Sequence, residues 1–194
     1  QFWQGSPDLV VADAAQVSNL SDAPWESIDP EHHWVDVDLT SMVSGGSRRG
    51  IRTSGTVVAV RPDSGIVERC PECRRVLRDG SCMEHGPQRG EEDLRLRFVI
   101  DDGMSNASLL MSKDASEAFL GVNQESVKEE IARDGRDGFV ASLRQRVLAQ
   151  RFSIKGRSIV DDQGAMLLAD EAEQIQTTAA DAANDVMQRW GVVL

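Results

Sequence analysis

Residues 94–103 read Leu-Arg-Leu-Arg-Phe-Val-Ile-Asp-Asp-Gly. Leu94, Leu96, Phe98 and Ile100 alternate with Arg95, Arg97 and Val99. Successive side chains of a strand point to opposite faces, so this is a strand with one apolar face and one face carrying two arginines. Asp101-Asp102-Gly103 has turn chemistry and leads into a shorter strand over roughly Ala107–Met111. Upstream, the Thr- and Val-rich stretch Arg52–Val60 predicts a strand broken by Gly55, ending at the turn Arg61-Pro62-Asp63-Ser64-Gly65. Downstream, Phe152–Val160 and Ala165–Ala169 predict two strands joined by Asp161-Asp162-Gln163-Gly164, with Glu171–Ile175 extending the last.

Two helical patterns separate the third strand from the fourth. Residues 115–134 place Phe119, Val122, Val127 and Ile131 at apolar positions, with Gly121 as the expected break. Phe139, Leu143 and Val147 mark a second helix to about Gln150. Five strands with helix between the third and fourth is the order of the OB-fold barrel. The predicted fold class is therefore mainly β with α additions: a five-stranded OB-fold barrel with a zinc-ribbon insertion and a C-terminal helix. The competing assignment is a zinc ribbon beside an unrelated α+β domain.

The insertion rests on Cys70, Cys73, Cys82 and His85, spaced Cys-x2-Cys-x8-Cys-x2-His. Two tight knuckles facing each other supply the four N/S ligands that Zn²⁺ takes in a tetrahedron. All 3 cysteines of the chain lie here, and an odd number argues against a disulfide framework. Four protein ligands close the shell, so the zinc is expected to be structural. Arg74, Arg75 and Arg78 are expected to offset the thiolates' charge. No nucleophile accompanies His32-His33, and Gly45-Gly46-Ser47 lacks the Gly-Lys-Ser/Thr ending of a phosphate loop. The chain reads as a non-enzyme.

The chain has 194 residues, room for one full domain plus a fragment. Its 40% hydrophobic residues allow a core, and the longest apolar runs fall far short of the roughly 18–20 residues of a membrane helix. It opens on Gln1, which reads as a cut from something longer. Net charge is -11, from 21 basic and 32 acidic residues, which taken alone argues against nucleic acid. Only 3 of the bases are Lys, and low Lys with surplus Asp resembles the surface of a protein from a high-salt cytoplasm. The distribution also matters. Residues 1–46 carry eight acids and no base, whereas 47–100 carry eleven Arg against eight acids. The segment Gly138–Val160 holds five bases and no acid. A basic middle thus lies between acidic ends.

The boundaries expected are closing strands of a truncated upstream OB-fold at 1–20, a polar linker at 21–33, the barrel at 34–176 with its insertion at 66–90, and a tail helix at 177–194. The first of these rests on an internal echo: Leu9–Asp13 followed by Gln16-Val17 matches Met166–Asp170 followed by Gln174-Ile175. In the tail, Thr178 precedes Asp181 at near capping-box spacing. Ala179, Ala183, Val186 and Trp190 form one helical stripe, which packs either on its own domain or on a partner subunit.

Thr56–Pro62, the Cys70, Cys73, Cys82 and His85 set, Leu94–Gly103 and the Phe152–Glu173 hairpin together resemble replication protein A. The likeness is to the zinc-containing OB-fold of the archaeal large subunit, over about residues 34–194. The resemblance implies single-stranded-DNA binding in replication, repair and recombination, a cytoplasmic, nucleoid-associated location, and subunit partners assembled through the C-terminal helix. A barrel that grips single strands needs cations for phosphates and flat groups for bases. Candidates for contact are Arg52, Arg95 and Arg97, then Arg151, Lys155 and Arg157 on the fourth strand, with Phe119 at the loop–helix rim. Trp34, like Trp25, either wraps onto the barrel or stacks bases. The chain has 0 Tyr, and arginine planes are the available substitute. Two other readings stand beside DNA binding: an assembly module with little DNA contact, and an RNA-binding OB module.

Overall fold

The computed structural model describes residues 2–3, 6–7, 11, 13, 17–18, 34–162, 164–176 and 179–191. Strands β1 (Phe2–Trp3) and β2 (Ser6–Pro7) pair antiparallel. The upstream-barrel expectation for 1–20 otherwise lies outside the described residues, as do the linker 21–33 and Thr178.

The alternating stretch at 94–100 is the centre of a longer strand, β8 (Glu91–Asp101), whose Leu94, Leu96, Phe98 and Ile100 are all 0% exposed. It turns at Asp102 into β9 (Asn106–Met111). The turn is made by carboxylates: Asp101 Oδ1 accepts from the Gly103 N–H at 2.7 Å, and Asp102 Oδ1 from Met104 and Ser105 at 3.0 and 2.9 Å. These are Asx-type turns, in which the side chain replaces a backbone acceptor.

Strand β4 (Arg48–Val60) closes the barrel. Its residues Arg48–Thr56 pair antiparallel with β10 (Arg151–Asp161), and Thr56–Val60 pair antiparallel with β8. β10 pairs with β11 (Gly164–Gln174), and β11 runs parallel to β9. The ring β4–β8–β9–β11–β10–β4 is thus complete, with the OB-fold connectivity expected from the order of elements. Closure leaves the five core strands no free edge in the ring. Phe152, Ile154, Ile51, Val57, Leu109, Met111 and Leu167 fill its interior beside the β8 row.

Helices close the ends. α1 (Leu39–Ser44), not foreseen in the sequence, buries Leu39 and Met42 completely and is capped by Asp38, whose Oδ1 accepts from Ser41 N. Asp102 Oδ2 accepts from the Leu39 N–H at 3.0 Å, which ties α1 to the β8–β9 turn. A short strand, β3 (Val35–Asp36), adds parallel to β4. Toward the other end, α2 (Lys113–Leu120) leads out of β9 and stops at Gly121 in the left-handed region, as expected. α3 (Gln124–Val147) runs across the expected helix boundary, with one break at Gly135 (φ 76°, ψ 163°). It buries Val127, Phe139, Val140, Leu143 and Val147. Glycine adopts this positive φ without the strain other residues would carry, so two helical segments meet at an angle and both apolar faces reach the same core.

Between β4 and β8 the chain forms β5 (Gly65–Arg69), antiparallel to the start of β8, and then the small hairpin β6 (Ser81–Cys82) and β7 (Gly86–Pro87). After β11 comes α4 (Ala179–Arg189). No described helix is long and apolar enough to cross a membrane.

The barrel depends on Gly156. The β10 register shifts on either side of it, against β11 and against β4. A Cβ there would lie 2.1 Å from the carbonyl oxygen of Leu168. Bulges of this kind give a closed sheet its sharp bends. Gly156→Ala is therefore expected to destabilise the fold by about 1–3 kcal/mol or more, as overpacking against backbone does, measured as a lowered denaturation midpoint.

Candidate functional site

The predicted metal ligands converge. The donor atoms of Cys70, Cys73, Cys82 and His85 all lie within 4.8 Å of one another. His85 Nδ1 is 3.6 Å from Cys70 Sγ and 3.7 Å from Cys82 Sγ, and Cys73 and Cys82 sulfurs are 3.5 Å apart. A tetrahedron with metal–sulfur bonds of about 2.3 Å and metal–nitrogen bonds of about 2.0 Å has edges of roughly 3.5–3.8 Å. The four residues fit such a site, and all three cysteines are free thiols. The first knuckle leaves β5 with the Arg74 N–H bonded to Cys70 O, and the second is the β6–β7 hairpin. Buried Leu77 packs with Cys70 and Cys82 beneath them. Backbone N–H groups of Glu84 and His85 point at the Cys82 sulfur and lower its pKa to about 6. Two of the three arginines expected to offset thiolate charge are instead paired outward: Arg75 with Glu84 at 2.5 Å, and Arg74 with Glu91.

The outer face of the barrel holds two rows of side chains, each set by strand register. In the first, Asp36, Arg52, Lys155 and Glu171 are neighbours across β3, β4, β10 and β11. Arg52 grips Asp36 through Nε–Oδ1 at 2.7 Å and Nη2–Oδ2 at 3.2 Å, which holds the carboxyl below its ordinary pKa. Lys155 Nζ lies 3.3 Å from Glu171 and 5.8 Å from the centroid of the Trp34 ring. The structure therefore brings Arg52, Lys155 and Trp34 together. Arg151 donates to Ser54 Oγ at 3.0 Å on the adjacent stretch of β4. A cleft of about 310 Å³ beside Arg52 is acidic, with Asp36, Asp38 and Asp102 in its lining. That charge disfavours a phosphate there.

In the second row, Arg97, Leu110, Leu168 and Arg157 are neighbours across β8, β9, β11 and β10. Two half-buried aliphatic side chains lie between two arginines. Arg157 is exposed. Sequence reading missed the arginines beside it: Arg48 stands opposite Ser158, and Arg49 follows it at the Gly156 bulge. The Arg48-Arg49 pair was the available signal, but only the register brings it to Arg157.

Arg95 and Arg97 both face outward, as the alternation requires, and both meet Asp63. Arg95 Nη2 and Arg97 Nη1 lie 2.6 and 2.7 Å from the same oxygen, Asp63 Oδ2. The Arg95 side chain is only 13% exposed, and burial lowers its pKa against the opposing pull of Asp63. No local pattern links Asp63 to residues more than thirty positions away.

Phe119 does not stand on the strand face. Its ring packs between Phe98 and Phe152, at centroid distances of 5.7 and 5.3 Å, and it belongs to the edge of the core. On α4, Ala183 is exposed and Val186 is 54% exposed, while the side chain of Ala179 lies outside the described residues; Trp190, in the turn just after the helix, is 70% exposed.

No family model matches the chain, and neither does any curated protein. Solved structures do. A chain from a replication protein A heterotrimer bound to single-stranded DNA superposes with a TM-score of 0.52 at 11% identity, over 82% of this chain and 40% of that one. A chain of yeast RPA bound to single-stranded DNA gives 0.44 at 15% identity, over 92% and 94%. A chain of the S. pombe Stn1–Ten1 complex gives 0.36 at 9%, over 74% and 67%. At such identities the likeness of the first is one of fold, and this chain spans about two-fifths of its length.

A freshly reduced preparation is expected to hold one tightly bound metal ion per chain. Cys73→Ser should release it and loosen the β6–β7 hairpin, because metal-binding free energy is folding free energy in so small a lobe. Elemental analysis with and without the substitution is the check.

Proposed function

We propose that this chain is a single-stranded-DNA-binding module for replication, repair and recombination, with one structural Zn²⁺ in the 66–90 insertion, and not an enzyme. The observation that carries it is the second outer row, where Arg97 and Arg157 flank Leu110 and Leu168 across four strands of a closed OB barrel. Cations at the ends suit phosphates, and apolar side chains between them suit base faces without reading sequence. The fold match to a chain from a replication protein A heterotrimer bound to single-stranded DNA supports the same reading. Zinc is the metal that three thiolates and one imidazole in a closed tetrahedron suit best, and it does no chemistry there beyond holding the lobe.

In this reading Arg97 and Arg157 make the principal phosphate contacts, with Arg95 behind Arg97. Arg52, Lys155, Arg151 and Trp34 form a second, weaker track. The carboxylates paired with Arg52 and Lys155 are largely exposed, and pairs of that kind contribute only about 0–1 kcal/mol, so a phosphate can compete for Lys155 and, against the acidic cleft, more weakly for Arg52. Phe119 has no part in it. The module comprises 34–176.

Arg97→Ala with Arg157→Ala is expected to weaken binding to a labelled oligothymidylate and to flatten the salt dependence by about 0.7 per lost phosphate contact. Fluorescence anisotropy across a salt series, with duplex DNA and single-stranded RNA in parallel, tests this. Equal or tighter RNA binding turns the reading to RNA, and an unchanged double variant moves the contact off this row.

A second reading, subunit assembly, is favoured by exposed Val186 on α4 and exposed Trp190 in the turn that follows it. A short helix with an apolar stripe gains its stability by burying that stripe. Trp190→Ala is expected to leave metal content and barrel unfolding unchanged while weakening self-association or partner capture, read by light scattering. A loss of barrel stability with association intact places the helix on its own domain.

A further inference from the structure

The turn after β4 is fastened to β8 at one point. Ser64, 0% exposed, donates through Oγ to the Arg97 carbonyl and accepts from the Arg97 N–H, both at 3.0 Å. The Arg61 N–H also donates to that carbonyl at 2.8 Å. Asp63 lies within this turn, so its position relative to the outer face of β8 is set by backbone. Its Oδ2 receives Arg95 and Arg97 together, at 2.6 and 2.7 Å. One oxygen between two guanidinium groups is how a non-bridging phosphate oxygen is held. Arg95 Nε, meanwhile, is buried with no hydrogen-bond partner. Each guanidinium carries five N–H donors, so the pair has more donors than a single carboxylate oxygen accepts.

We propose that Asp63 is a built-in occupant of an oxyanion site between Arg95 and Arg97, and that a backbone phosphodiester of a bound strand takes its place. The inference rests on the single-strand reading and deepens it. Asp63 has two effects. It holds both guanidinium groups in position before a strand arrives, which limits the ordering cost of binding. It also cancels positive charge on the face until displaced. Its side chain is 43% exposed, so leaving the site does not strand a deeply buried anion. Burial alone would raise its pKa, but the hydrogen bond and charge of Arg97, and the charge of Arg95, hold it below the ordinary value, so the occupant is an anion at neutral pH. Arg157, at the far end of the row, stands opposite Leu168 across the strands.

The test uses the full chain and a labelled oligothymidylate across a salt series. Asp63→Asn keeps the size of the side chain and removes its charge; Asp63→Ser is the second variant, against misfolding of the first. Circular dichroism and metal content control for folding. Asp63→Asn is expected to tighten binding about two- to fivefold at low salt, the scale of one partly exposed ion pair, and to steepen the salt slope by about 0.7. Adding Arg97→Ala should erase that gain. If the wild-type chain binds and both folded Asp63 variants bind equally or more weakly, the occupant role is overturned and Asp63 only positions the arginines. If neither the wild-type chain nor the variants bind, the single-strand reading falls with it.

Discussion

The double pairing of β4 is the constraint on which the remaining structure depends. A single strand hydrogen-bonds to β10 through Arg48–Thr56 and to β8 through Thr56–Val60, and without that change of partner the sheet stays open. Once it closes, the period-2 alternation of every core strand acquires a fixed inside and outside. The interior is then filled mainly by apolar side chains, as β8 shows with four residues at 0% exposure, and small polar Thr53 and Ser158 are buried with them. The exterior becomes a continuous curved face on which residues from four strands stand side by side. Gly156 serves the same closure from the opposite strand, since β10 can bend there only by bringing its backbone against Leu168.

That outer face explains how an acidic chain can carry a basic tract. Its cations are interleaved with carboxylates from other strands or turns: Arg52 with Asp36, Lys155 with Glu171, and Arg95 and Arg97 with Asp63 of the turn after β4. The net charge of -11 is thus a poor guide to any one patch. Partly exposed pairs of this kind are worth little to stability. Their larger effect is to keep long side chains ordered and to lower the local positive potential, both of which tune the approach of an anion.

The metal lobe is nearly independent of the barrel's logic. Its ligands come from within 16 consecutive residues, its small core is Leu77 with the cysteines, and its knuckles are local turns. It joins the barrel through β5, which extends the β8 ladder, and through Arg69, paired with Asp93. Arg136 of α3 donates to the Ile66 carbonyl at 2.5 Å and covers the outer side of β5. An insertion held this way changes what flanks the barrel without changing the ring.

Period and spacing in the sequence alone determined the five core strands, their order, the glycine punctuation of the helices and the four candidate metal ligands. These are local signals: alternation at Leu94–Ile100, turn residues at Asp101–Gly103, and cysteine spacing over a few residues. The sequence also carried the outward direction of Arg95 and Arg97, because that follows from parity along one strand. It did not carry α1, whose apolar run is only Leu39, Met42 and Val43. Nor did it carry the core position of Phe119, the meeting of Trp34 with Lys155, or the row Arg97–Leu110–Leu168–Arg157. Those required the tertiary structure, because each depends on the register between strands far apart in the chain. Asp63 is the sharpest case. In sequence it is one residue of a turn, and only the folding of that turn onto β8 sets its carboxylate between two arginines.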